Sequence, residues 1–246
     1  MNPLWLLAGI VFVAFLIEAA AGFGSMVVAL TLGALWFDVN QLLAWLVPVN
    51  FVLSCYLVAV GWKHIDWKFL MTRMVPLMAL GLALGTLVAT RAAATAWLKP
   101  AFGLFVVAVA IWQLRARAET RALPAPARAV ALVGAGVIHG IFATGGPLAV
   151  FVSARELPQK ARFRATLSML WVVLNALVLP RLAFEGQLNE ASLTVSVYML
   201  APLALGIAAG EWVHHRLEEA RFRVVVASLL LVAGLVLAAQ SLRGAA

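Results

Sequence analysis

Long apolar runs separated by short polar stretches dominate the chain, at about 3–37, 42–61, 74–90, 97–114, 129–153, 165–180, 191–213 and 222–242. A helix that crosses a bilayer needs about 20 mostly apolar residues. The runs are unbroken and rich in Ala, Leu and Val, not the short alternating segments of a membrane barrel, so they predict helices. Two of them are anomalous. Residues 3–37 are too long for one pass and too short for two, and Glu18-Ala-Ala-Ala-Gly22-Phe23-Gly24-Ser25 interrupts them. The fifth run is interrupted by His139-Gly140-Ile-Phe-Ala-Thr144-Gly145-Gly146-Pro147. Glycine and proline clusters of this kind break helices.

The two interruptions align without gaps at an offset of 121, which sets Glu18 on His139, Gly24 on Gly145 and Ser25 on Gly146. Gly81, Gly85 and Arg91 fall on Gly206, Gly210 and Arg216 at an offset of 125, and so does Asn50 on Asn175. These matches predict a two-fold internal repeat, residues 1–120 and 121–246, within one transmembrane unit. The junction, Arg115–Arg128, holds Pro124, Pro126 and four arginines, and reads as a loop.

Composition agrees with a bilayer as solvent. Hydrophobic residues make up 65% of the chain and charged ones 11%, against roughly 25% charged in soluble domains. The +8 net charge fits basic loops retained on the cytoplasmic side better than it fits nucleic acid. If each broken run is a hairpin, 14 of the 18 basic residues fall on one side, from Lys63, Lys68 and Arg73 through Arg115–Arg128 and Arg155–Arg164 to Arg216–Arg223. A single pass at each break would scatter them over both sides. The predicted fold is therefore an all-α polytopic membrane protein of two inverted-topology repeats. Each repeat is a broken-helix hairpin plus three transmembrane helices, and both termini lie outside the cytoplasm. The first residues lack a basic leader region, so the first run is expected to belong to the mature fold. The single Cys55 allows no internal disulfide and is expected to be buried.

Inverted repeats with interrupted helices are a transporter plan, with the site near the midplane between the breaks. Each break starts a new half-helix, one near Ser25 as N-cap and one at Pro147 as first residue. Helix starts carry free N–H groups and partial positive charge, which suit an anion. Gly22, Phe23, Gly24, Ser25, Thr144, Gly145, Gly146 and Pro147 are the candidate cradle; close helix crossing is the competing use of the glycines. Glu18 and His139 are ionisable groups within spanning segments and candidates for proton coupling, although Glu18 can instead brace the turn by hydrogen bonds. Asn50 and Asn175 are candidates for lining the site, or for bridging helices. Arg164 is placed at the inner mouth. Gly81/Gly85 and Gly206/Gly210 read as packing faces. Glu211, His214, His215 and Arg216 read as an interfacial ion cluster, and Trp5, Trp36, Trp62, Trp67, Trp97 and Trp212 as interfacial anchors. The chain contains neither a P-loop nor a zinc or His-Glu-x-x-His motif, so no cofactor is expected.

Ala21-Gly22-Phe23-Gly24-Ser25, Gly140–Pro147, the glycine helices Pro76–Gly85 and Pro202–Gly210, and Arg164-Ala-Thr166 together resemble the TauE/SafE family of membrane proteins. The resemblance extends over essentially the whole chain. It implies a secondary transporter of the bacterial inner membrane, exporting sulfite, sulfoacetate or another organosulfonate, with proton coupling as an option. Family signatures often carry three consecutive glycines. Here Gly24-Ser25-Met26 and Gly145-Gly146-Pro147 depart from that, so the ligand can differ from sulfite. The alternatives are a passive anion channel or a transition-metal cation carrier, motivated by Glu18, His139 and the histidines near 214. Expected partners are a small oxyanion and the lipid bilayer, with a second copy of the chain as an option and no nucleic acid.

Overall fold

A computed structural model of the chain describes residues 3–92, 101, 103–108, 111, 123–214, 231 and 235. The elements are α1 (Pro3–Ala21), α2 (Ser25–Gly33), α3 (Val39–Gly61) with a 3-10 turn after it, α4 (Trp67–Phe69), and a π-helical turn (Leu70–Met74) leading into α5 (Val75–Ala92). There follow α6 (Ala125–Phe142), α7 (Gly146–Glu156), α8 (Lys160–Phe184), α9 (Glu190–Tyr198) and α10 (Leu200–His214). Among the described residues six helical stretches are long and apolar enough to cross a membrane. The chain is thus an all-helical integral membrane protein. The runs expected at 97–114 and 222–242 lie largely outside the described residues, as do Arg115–Arg121, His215, Arg216 and Trp97.

The interior is polar at its centre and the exterior apolar. Glu18, Asn50, His139 and Asn175 are buried, while Leu80, Leu84, Leu87, Val197, Leu205 and Phe184 are exposed. That suits a solvent made of lipid tails, where contact between helices depends on close van der Waals packing. Trp5, Trp36, Trp62, Trp67 and Trp212 are exposed at or near element ends, as interfacial anchors are. Cys55 is exposed rather than buried, because it lies on the outer face of α3.

Glycines carry the closest helix packing, the four expected ones together with Gly136 and Gly140 of α6. A Cβ on Gly81 would lie 2.1 Å from the Val133 carbonyl oxygen, and one on Gly85 2.2 Å from that of Val137. Across the molecule, a Cβ on Gly206 would lie 2.9 Å from the Phe12 oxygen and one on Gly210 2.6 Å from that of Leu16. Val133 and Val137 stand 121 positions after Phe12 and Leu16. The same helix contact thus occurs twice with the halves exchanged: α5 on α6, and α10 on α1. Between the two contacts, α3 packs on α8.

Ion pairs tie the basic loops together at one end. Glu156 at the end of α7 meets Arg128 in the first turn of α6 at 2.7 Å and Arg73 at 3.5 Å. Asp66 caps α4, pairs with Arg162 at 2.7 Å, and donates its backbone N–H to Thr166. The Arg128–Glu156 pair brings both ends of the fifth run together, so α6 and α7 form a hairpin. At 1.5 Å rise per residue α7 is about 16 Å long and α2 about 13 Å, roughly half of a bilayer core.

Candidate functional site

Each hairpin tip is built differently. The first turns on two left-handed glycines, Gly22 at φ 84° and Gly24 at φ 105°, a backbone region that residues with a Cβ enter at a cost. Gly24, not Ser25, is the residue before α2, and Ser25 is its first helical residue. The second tip turns on Ala143, at φ 52° without being glycine. Such residues are uncommon and cluster at functional sites. Gly145 has ordinary dihedrals and is needed for space: a Cβ there would lie 2.3 Å from the Ala135 oxygen and 2.9 Å from His139 Cβ. Helix α7 begins at Gly146, and Pro147 falls inside its first turn.

Glu18, on the last turn of α1, reaches over the first tip. Its Oε2 accepts the Ser25 backbone N–H at 3.1 Å and also the Ser25 hydroxyl. Asn50 Nδ2, from α3, lies 3.2 Å from each carboxylate oxygen and 2.9 Å from Ser25 Oγ. Both oxygens accept, the pattern of a carboxylate held by donors. The bracing role considered for Glu18 is therefore the geometry found. Asn175 Nδ2, from α8, donates to Asn50 Oδ1 at 2.7 Å. The two asparagines join the hairpins at the centre.

On the other side of that pair stands His139. Its ring stacks on Trp171, centroids 5.8 Å apart and planes at 12°. The Asn175 side chain is its polar partner, at a geometry short of a full hydrogen bond to either ring nitrogen. Thr144 Oγ1 and Asn175 Oδ1 are likewise buried without a full hydrogen bond. A Cβ on Gly146 would lie 4.0 Å from the Trp171 ring, so this position has room.

Helix α8 also marks where the tips lie. A Cβ on Gly22 would meet Arg164 Cγ at 3.0 Å, and Arg164 pairs with Glu211 of α10. Phe23 sets its ring edge-to-face on Phe163 at 6.2 Å. Seventeen residues further along α8, about 25 Å, Arg181 donates to the Gly140 carbonyl. The first tip thus abuts the start of α8, and the second lies along its middle and later part, from Trp171 to Arg181. Glu211 binds Arg164; the side chains of His214, His215 and Arg216, expected to cluster with it, lie outside the described residues.

Glu18, Ser25, Asn50, Asn175 and His139 are brought together, and Thr144 and Gly145 adjoin His139. Gly22, Phe23 and Arg164 lie at the end of the first tip, away from His139. Trp171, Arg181 and Ala143 were not singled out as site residues. A tryptophan within an apolar run and an arginine at its border were the available signals for the first two, and Ala143 carried none. A cavity of about 310 Å³ opens between the starts of α3 and α9, lined by Asn40, Gln41, Trp45, Gln187, Asn189 and Ser192 among others. Neither central asparagine lines it.

The family model described as Sulfite exporter TauE/SafE matches residues 7–237. The chain belongs to that family, one of membrane transporters rather than enzymes. A curated relative, the probable inner membrane transporter protein TsaS of Comamonas testosteroni, is 28% identical over 135 residues, 54% of this chain and 56% of that protein. The match thus spans about half the length of the relative. No solved structure matches the chain.

Proposed function

We propose that this chain, as a member of the TauE/SafE family, exports a small oxyanion across the bacterial inner membrane by alternating access. Sulfite, sulfoacetate and related organosulfonates are the candidate substrates. The observation that carries the reading is the buried polar line from Glu18 through Asn50 and Asn175 towards His139, set between two half-helices inside an apolar bundle. Polar groups this deep are expensive and mark substrate or ion paths.

The two halves are inverted repeats in this account. Reciprocal glycine contacts support a two-fold relation, and the displacement of the tips along α8, the first at Arg164 and the second between Trp171 and Arg181, supports inversion. The basic, ion-paired end is the cytoplasmic one by the positive-inside rule, which puts both termini outside. The substrate passes the two central asparagines between Gly22-Phe23-Gly24-Ser25 and Thr144-Gly145-Gly146-Pro147. Arg164, latched to Glu211 over Gly22, guards the inner mouth. Glu18 and His139 are the groups available to couple movement to protons.

Flux of labelled sulfite and sulfoacetate into proteoliposomes tests this directly. Uptake above that of empty liposomes is expected, reduced by Gly145→Val. Flux no greater than in empty liposomes for both anions refutes export of this class. For coupling, Glu18→Gln should flatten the pH dependence of flux; an unaltered profile removes Glu18 from the proton path.

A further inference from the structure

The two tips share a plan and differ in what they leave unsatisfied. At the first, the place where a helix start would take an anion is already filled. The Glu18 carboxylate accepts the Ser25 N–H, the Ser25 hydroxyl and Asn50 Nδ2, so the chain supplies its own anion there. At the second tip the aligned position carries His139, and no carboxylate is bonded to the start of α7 among the described residues. His139, Thr144 and Asn175 are 3%, 2% and 0% exposed; the Thr144 hydroxyl and the imidazole nitrogens make no full hydrogen bond, and the Asn175 side chain is the polar group beside the imidazole. These three come from α6, the tip and α8, and they adjoin one another: Asn175 neighbours the imidazole, and Gly145, next to Thr144, packs on His139 Cβ. Buried polar atoms without partners are costly, and donors among them suit a water or a bound anion.

We infer that each chain holds one oxyanion, at the second tip, and that Glu18 is a tethered anion occupying the equivalent place at the first. This rests on the reading of the chain as an oxyanion transporter. The Thr144 hydroxyl, an imidazole N–H and the first-turn N–H groups of α7 are the donors such an anion needs. Pro147 contributes no N–H to that turn, so the side chains carry more of the binding than at an ordinary helix start. Asn175 and Asn50 connect the seat to the tethered carboxylate, so two side chains separate it from a second negative charge. That charge opposes a second anion and favours release of the first.

Equilibrium binding of labelled sulfite to the purified full chain in detergent is the test. One sulfite per chain is expected. Thr144→Val and His139→Gln should each weaken binding tenfold or more, and more than Ser25→Ala does, with melting temperatures confirming that all three variants fold. Glu18→Gln, which keeps an acceptor and removes the charge, should tighten binding severalfold. Two sulfites per chain, or a larger loss from Ser25→Ala than from Thr144→Val, overturns the assignment while leaving an oxyanion transporter intact. Absence of sulfite binding and of flux in the wild-type chain overturns both.

Discussion

The first hairpin tip is closed on itself and the second is open. Both descend from the same pattern, a helix, a break and a half-helix, and both meet the central asparagine pair. At the first, two left-handed glycines tighten the turn and Glu18 satisfies the new helix start. At the second, Ala143 makes the turn, and His139 and Thr144 are left without a full hydrogen bond. The difference shows that two similar breaks can be built with different chemistry. Hydrogen bonds close the first on itself, and the second keeps buried polar atoms for which the fold supplies no full hydrogen bond.

The largest expected effects lie in the contacts the two halves share. Gly85→Leu and Gly210→Leu should both abolish accumulation of folded protein, since a Cβ at either already falls within 2.6 Å of a backbone oxygen. Overpacking of this kind costs about 3 kcal/mol or more. Gly9→Leu, with nothing within 4 Å of its Cβ position, should accumulate like the wild type. Membrane yield and fluorescence-detected gel filtration separate these outcomes. A large gap between Gly85→Leu and Gly210→Leu would mean that the two interfaces are not equivalent.

The tips themselves should respond in opposite directions. Glu18→Ala strands the Ser25 N–H and hydroxyl and the Asn50 amide, and should destabilise the protein by about 3 kcal/mol. His139→Phe keeps the ring against Trp171 and removes two nitrogens that lack a full hydrogen bond. It should be neutral or stabilise by up to about 1 kcal/mol, while sulfite binding is lost. Thermal or denaturant unfolding in detergent reads both. If His139→Phe destabilises as much as Glu18→Ala does, the second tip is as fully bonded as the first.

A double-mutant cycle on Asn50→Ala and Asn175→Ala sharpens the link between the tips. Interhelical hydrogen bonds in membranes couple by roughly 0.6 to 1.7 kcal/mol, and a value in that range is expected. A smaller change should follow Arg162→Ala. That removes an exposed pair with Asp66 and should cost about 0.5 kcal/mol.

Much of this was legible in the chain. The helices were legible because spanning runs are long, and the breaks because Gly22, Gly24, Gly145, Gly146 and Pro147 interrupt apolar sequence. Glu18, Asn50, Asn175 and His139 stood out because ionisable and amide groups inside apolar runs are costly. Their division of labour was not legible. Whether Glu18 turns towards Ser25 or towards a ligand is decided by a side-chain rotamer and by Asn50, 32 residues away. The use of Gly145 for space rather than for its dihedrals depends on where α6 passes, and Cys55 faces outward because of the rotation of α3. The Arg164–Glu211 and Arg181–Gly140 contacts join parts of the chain 47 and 41 residues apart, beyond any local pattern.

Selenite, a heavier oxyanion of sulfite's shape, can be located by its anomalous scattering in crystals of the protein. One selenium peak per chain is predicted, within hydrogen-bonding distance of Thr144 and His139 and absent from the first tip. A peak beside Ser25, a pair of peaks at the two tips, or none in crystals soaked to saturation would contradict the account.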